Sequence, residues 1–96
     1  MAIQSFADKN AEVFFITGRL AKGAGWRGVA KIVRRKLDML HYATSVNDLR
    51  SPPGNRLEVL KGEWRNCYSM RINDQWRIIF QWSEQGPEHV RVIDYH

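Results

Sequence analysis

Cysteine is almost absent: a single Cys67 in 96 residues excludes an intramolecular disulfide framework and any multi-cysteine metal knuckle. Long apolar runs are missing as well. The longest, Val13-Phe14-Phe15-Ile16, is far too short for a membrane span or a signal-peptide core. Gly23-Ala24-Gly25 has no strand before it, so no cofactor-type phosphate loop is expected. His41, His89 and His96 lie far apart, and no zinc or calcium ligand spacing occurs, so neither a metal nor another cofactor is expected. Repeats and low-complexity segments are lacking too. What remains, 44% hydrophobic, 11% aromatic and 26% charged residues, is the composition of an ordinary globular protein. The expectation is one cytoplasmic domain over 1–96, large enough for one modest core.

Acidic residues are scarce in one place. Residues 1–50 carry nine bases against four acids, whereas residues 51–96 carry six of each. Between 19 and 36 stand Arg19, Lys22, Arg27, Lys31, Arg34, Arg35 and Lys36 with no acid among them. A one-sided field of this kind favours polyanionic partners, either nucleic acid or an acidic protein. A plain solvated helix face would produce the same pattern.

Residues 1–6 read as a short first strand. Asp8 offers an N-cap to a helix carrying Val13, Phe14 and Ile16, which Gly18 ends. Lys22 to Gly25 reads as a mobile linker. From Trp26 to Tyr42 the apolar positions Trp26, Val29, Val33, Leu37 and Leu40 recur at steps of three and four, with Lys31, Arg34 and Arg35 opposite. A turn is expected at Asn47-Asp48-Leu49, and Ser51-Pro52-Pro53-Gly54-Asn55 reads as a rigid loop. The remainder is strand-like. Strands segregated from helices in this way predict an α+β domain, an N-terminal strand and two helices packed on an antiparallel sheet.

The last thirty residues carry a register. Tyr68, Met70 and Ile72 alternate with polar residues, and Trp76, Ile78, Phe80 and Trp82 form a second apolar set at steps of two. Both sets face one core only if residues 72 and 76 pair across a three-residue loop, since a slip of one turns a set outward. Arg71 and Arg77 then become cross-strand neighbours on the other face. A five-residue loop, Ser83 to Pro87, would pair Trp82 with Glu88, Phe80 with Val90 and Ile78 with Val92, sending His89, Arg91, Ile93 and Tyr95 to the arginine face. Like charges placed opposite each other cost stability unless solvent, carboxylates or an anion lie between them. Two guanidinium forks aimed at one point would suit a phosphodiester.

Without a cofactor, chemistry must come from side-chain acids and bases. RNA cleavage is one such reaction, because the 2′-hydroxyl is a built-in nucleophile needing a base, a cationic cradle and an acid. Arg71, Arg77, Lys61, Tyr95 and His96 are residue types suited to those tasks. Cys67 reads as a small packed side chain rather than a nucleophile. Trp26 and Trp82 read as core, and Trp64 either stacks a base or edges the core.

Four motifs in order, Pro-Pro-Gly-Asn-Arg-Leu-Glu (52–58), Leu60-Lys61-Gly62, Arg71 to Ile78 (Arg-Ile-Asn-Asp-Gln-Trp-Arg-Ile) and Asp94-Tyr95-His96, resemble the HigB toxin family of the RelE/ParE superfamily. The opening Ile3-Gln4-Ser5-Phe6 is similar as well, while 19–36 matches loosely. The resemblance implies two helices on a curved antiparallel sheet. It also implies an mRNA interferase, a metal-independent endoribonuclease acting on ribosome-bound message to inhibit translation, held by a HigA-like helix-turn-helix antitoxin. Operator DNA would be met only through the antitoxin complex. The site residues it implies are Lys61, Arg77, Asp94, Tyr95 and His96, with Arg71 matching closer relatives. Some members carry a histidine three positions before the lysine. Here that position is Glu58, so Glu58 and His96 are both candidates for the general base. In this reading Arg71 and Arg77 hold the scissile phosphate, Lys61 adds positive charge, and Tyr95 packs on substrate. Lys22, Lys31, Arg34, Arg35 and Trp64 are candidates for contacting RNA or the ribosome, and the basic arm 19–36 could equally be the face covered by an acidic antitoxin. A gyrase inhibitor of the ParE branch and a non-catalytic, antitoxin-binding relative are the alternative functions.

Overall fold

The computed structural model describes residues 2–95. Helix α1 (Lys9–Thr17) begins where Asp8 accepts a hydrogen bond from the Ala11 amide and ends at Gly18, whose φ of 80° suits a residue without a Cβ. Its buried side chains are Ala11 and Phe14. Ile16 is 69% exposed, because the nine-residue helix presents only one narrow stripe to the core.

The second helix is shorter than its apolar period suggests. Arg27–Val29 forms a 3-10 turn, and α2 (Ala30–Tyr42) follows it. Val33, Leu37 and Leu40 are fully buried. The segment before it is not a mobile linker: Ala24 is buried, and a Cβ at Gly25 would lie 2.9 Å from the Trp76 ring. Docking against Trp76 fixes it. Residues Val46–Arg50 form a 3-10 turn capped reciprocally by Ser45 and Asp48, and Pro53–Asn55 forms another.

Among the described residues the sheet has four antiparallel strands in sequential order: β1 (Glu58–Val59), β2 (Tyr68–Arg71), β3 (Trp76–Ser83) and β4 (Gly86–Asp94). The expected β2–β3 register is observed, with Met70 opposite Ile78 and Arg71 opposite Arg77. Asn73 closes the turn, its Oδ1 accepting from the amides of Gln75 and Trp76 at 2.9 and 2.7 Å.

The β3–β4 hairpin differs from expectation in one half. Ile78 pairs Val92, but Trp82 faces Pro87 and Gln81 faces Glu88, and Ser83–Gly86 closes a two-residue turn. A bulge between Ile79 and Gln81 absorbs the one-residue offset. His89, at φ 54°, takes the left-handed conformation there. The N-terminal strand is likewise reduced to a single parallel bridge, Phe6 to Val90. Ser5 Oγ accepts the His89 amide at 2.9 Å instead of continuing a ladder, because the bulge turns that amide away from regular pairing.

The sheet has two working faces. On one, Met70, Ile72, Ile78, Phe80, Val90 and Val92 pack under Phe14, Trp26, Val33, Leu37 and Leu40. Trp82 is only half-buried at the margin of that core. On the other, Leu60, Cys67 and Ile79 form a small cluster edged by Trp64, Ile93 and Tyr95. This second face, away from the helices, holds the candidate site.

Candidate functional site

Arg77 is the anchored centre of that face. Its guanidinium donates to Ser69 Oγ at 2.9 Å, pairs with Glu58 Oε1 at 3.1 Å and lies 5.8 Å from the centre of the Tyr95 ring. Its side chain is only 16% exposed, against 52% for Glu58. Three neighbours from three different segments therefore hold one planar cation in a fixed orientation.

Beside it lies a cleft of about 480 Å³, lined by Lys61, Glu63, Trp64, Ile93, Asp94 and Tyr95. Local backbone explains its walls. Gly62, at φ 70°, lets the chain turn sharply after Lys61 into the 3-10 turn Gly62–Trp64, raising Lys61 into solvent. The Leu60 amide donates to the Cys67 carbonyl at 2.9 Å and closes that loop. The opposite wall is the end of β4. Gln75 Nε2 donates to Asp94 Oδ2, and the Tyr95 amide donates to the Gln75 carbonyl, each at 2.9 Å. Trp64 is half-buried and carries the Arg91 guanidinium 5.0 Å over its ring, so it edges the second cluster and faces the cleft at once.

Of the sequence candidates, Lys61, Asp94, Tyr95 and Trp64 meet in the cleft, Arg77 adjoins it through Tyr95, and Glu58 is joined to Arg77 by their ion pair. Arg71 is opposite Arg77 in the ladder, yet its guanidinium turns to Asp74, 2.5 Å away. The two forks thus do not converge on one point: each takes its own carboxylate. Arg71 in turn holds the Asp74 carboxyl below the usual carboxylate range. His96 lies outside the described residues.

The basic arm is uneven. Lys22, Lys31 and Arg35 are exposed, but Arg34 is tied to Asp38 at 3.3 Å and lies over the Phe15 ring. Lys36 does not belong to the exposed set: it is buried and donates to Asn55 Oδ1.

Sequence reasoning missed Ser69, the buried hydroxyl that orients Arg77, and Glu63 in the cleft wall. Ser69 stands on the same side of β2 as Arg71, so alternation alone would have placed it on that face.

Two helices over a four-stranded antiparallel sheet, with a polar and aromatic cleft on the helix-free side, define a small α+β domain. A similar fold occurs in the YoeB-YefM complex from Staphylococcus aureus, at a TM-score of 0.59 and 17% identity over 100% of this chain and 97% of that one. It occurs again in a YoeB/ParE toxin from Agrobacterium tumefaciens, at 0.55 and 18% identity over the whole of both chains. Residues 4–96 match the family model of HigB-like toxins, described as the RelE-like toxin of the type II toxin-antitoxin system HigB, and the chain belongs to that family. It is 52% identical over 48 residues to Toxin HigB-1 of Vibrio cholerae, covering 50% of each chain. It is 46% identical over 66 residues to an uncharacterized protein of Haemophilus influenzae, covering 69% of this chain and 64% of that one. The chain thus spans between half and just under two thirds of the length of these curated relatives.

Proposed function

We propose that this chain is the toxin of an antitoxin-controlled pair and cuts messenger RNA on the ribosome without a metal. The observation that carries the reading is the anchored Arg77 guanidinium beside a cleft whose walls offer Lys61, Asp94 and Tyr95. Family membership supports the toxin half of the statement.

In this reading the message enters the cleft with a base against Tyr95 or Trp64, and the scissile phosphate lies between Lys61 and Arg77. The 2′-oxygen attacks phosphorus while the bond to the 5′-oxygen breaks, leaving a 2′,3′-cyclic phosphate and a 5′-hydroxyl. A base takes the 2′-proton, and an acid supplies the proton that the leaving oxygen needs. Glu58 and His96 remain the candidates for those transfers. Lys61 and Arg77 stabilise the extra negative charge of the phosphorane, and Arg77 does so without reorganising because Ser69, Glu58 and Tyr95 already hold it.

The test is 5′-end mapping of cellular RNA after brief induction, with Arg77→Ala and Lys61→Ala alongside. New 5′-hydroxyl ends within coding frames are expected, reduced about 10²–10³-fold by Arg77→Ala, the usual cost of removing one preorganised cation or donor. Growth arrest without new ends would point to gyrase or another target. Neither arrest nor ends would leave a non-catalytic, antitoxin-binding protein.

A further inference from the structure

The cleft wall carries a carboxylate that phosphate binding does not explain. Glu63 lines the cleft beside Lys61 and Trp64, in the 3-10 turn Gly62–Trp64. Among the described residues nothing pairs with it: the carboxylate is in no ion pair, not even with Lys61 two residues earlier, and no hydrogen bond reaches it. Asp94, the other carboxylate of the lining, already accepts from Gln75 Nε2. Trp64 and Tyr95 bring aromatic rings from the two walls, and Arg91 lies over the Trp64 ring without itself lining the cleft.

A free negative charge in a site for a polyanion repels every phosphate alike, unless a group of the right RNA offsets it. An ionised carboxylate only accepts hydrogen bonds, so that group must be a donor. Nucleobase edges differ in what they offer. Uracil has one imino N–H flanked by two carbonyls, which face a carboxylate unfavourably. Adenine and cytosine each set one amino group beside a ring-nitrogen acceptor. Guanine alone places two donors, N1–H and N2–H, side by side, matching the two oxygens of a carboxylate. We infer that Glu63 is a specificity-determining residue and that the base it selects is guanine, stacked on the aromatic walls with N1–H and N2–H donated to the carboxylate; the assignment rests on the reading of the cleft as an RNA site. The other three bases are rejected by the acceptors they turn towards the same carboxylate.

The test pairs binding with cleavage. The full chain is titrated with short 2′-deoxy oligonucleotides, which cannot be cut, each carrying one base between abasic sugars, and the Trp64 indole N–H resonance reports occupancy. Guanine is expected to bind at least tenfold tighter than uracil and than hypoxanthine, which differs from guanine only in lacking the N2 amino group. Glu63→Gln replaces the carboxylate by an amide that presents a donor as well as an acceptor, at an exposed position where folding does not depend on the charge. It is expected to bring the ratio of guanine to hypoxanthine within twofold, weakening guanine and tightening uracil. In cells, mapped 5′ ends should show guanine at one fixed nucleotide beside the cut, and Glu63→Gln should lose that enrichment. Equal binding of guanine and hypoxanthine by the wild type would overturn the proposal, as would a preference that survives Glu63→Gln or a wild type that binds none of the four. Tightening of every base alike by Glu63→Gln would reduce the carboxylate to a repulsive charge, and loss of cleavage with the preference intact would make it a proton-transfer group; either overturns base selection. A Glu63-dependent guanine preference in binding without any cleavage would sink the enzymatic reading and leave the base selection standing.

Discussion

Asn55 is fully buried, and its side chain does three jobs: Nδ2 donates to the Leu49 carbonyl at 3.0 Å and the Ser51 carbonyl at 3.3 Å, and Oδ1 accepts from Lys36. Burial pushes the Lys36 amine below its ordinary value, and the Arg35 and Arg71 guanidiniums push the same way. Asn55→Ala strands a buried cation and two carbonyls, so it is expected to cost about 2–4 kcal/mol in urea denaturation. The pH dependence has a definite sign. A lysine depressed in the folded state releases its proton there first, so the unfolded chain binds more protons and stability rises with pH. The gain develops from the lowered folded value up to the ordinary 10.5. Unfolding free energies of the wild type minus those of Lys36→Met should therefore climb between neutral pH and 10.5, and a flat difference would show that the amine is not depressed. Lys36 also shows what a charge count conceals. It lies three residues after Val33 and four before Leu40, which is the spacing of the buried stripe, and that periodicity, not its charge, identifies it as inward-facing.

At the scale of elements, Asp8 joins helix to sheet. Oδ1 caps α1 through the Ala11 amide at 3.2 Å, while Oδ2 accepts the Val92 amide of β4 at 3.0 Å. Asp8→Ala removes the cap and leaves a half-buried strand amide unpaired, so a loss of about 2–3 kcal/mol is expected, above the typical ~1 kcal/mol of a cap alone. A loss no larger than a cap substitution would mean that the Val92 contact adds nothing. The helix start was legible because a cap is local chemistry. The β2–β3 register was legible because alternation has a period of two and only one pairing buries both apolar sets. The top of the β3–β4 hairpin was not. A bulge at His89 converts a five-residue loop into a two-residue turn while leaving Ile78 opposite Val92, and both versions satisfy the same hydrophobic pattern below it. The same limit applies to the arginine pair. Register fixes Arg71 and Arg77 as neighbours, but where each guanidinium turns depends on carboxylates from other segments, Asp74 and Glu58. Glu58 comes from the two-residue strand β1, too short for any periodicity to announce.

Over the whole molecule, the sheet separates two surfaces with different charge logic. The cleft side mixes Lys61 and Arg77 with Glu58, Glu63 and Asp94, so its cations are locally balanced and act by position. The helix side carries exposed Lys22, Lys31 and Arg35 without ion-pair partners among the described residues, so its cations act as a field. Substitutions on the two sides share no side-chain partner and should combine additively, within about 0.3–0.5 kcal/mol. In the ribosome reading this yields a separation of effects. Arg35→Glu should weaken ribosome association and flatten its dependence on salt, because each lost phosphate contact removes roughly one unit from the slope of log affinity against log salt. Arg34→Glu should do less, since Asp38 and Phe15 already engage that guanidinium. Lys61→Ala should leave the salt slope nearly unchanged and slow cleavage by pre-bound ribosomes. The check is a filter-binding salt titration beside single-turnover cleavage for the two single variants and the Arg35→Glu/Lys61→Ala double variant. A double variant whose losses are the product of the singles fits two independent faces. A strongly sub-multiplicative result would mean that one RNA path runs around the sheet edge through Arg71, the arginine that stands opposite Arg77 and close enough to Lys36 to lower its affinity for a proton.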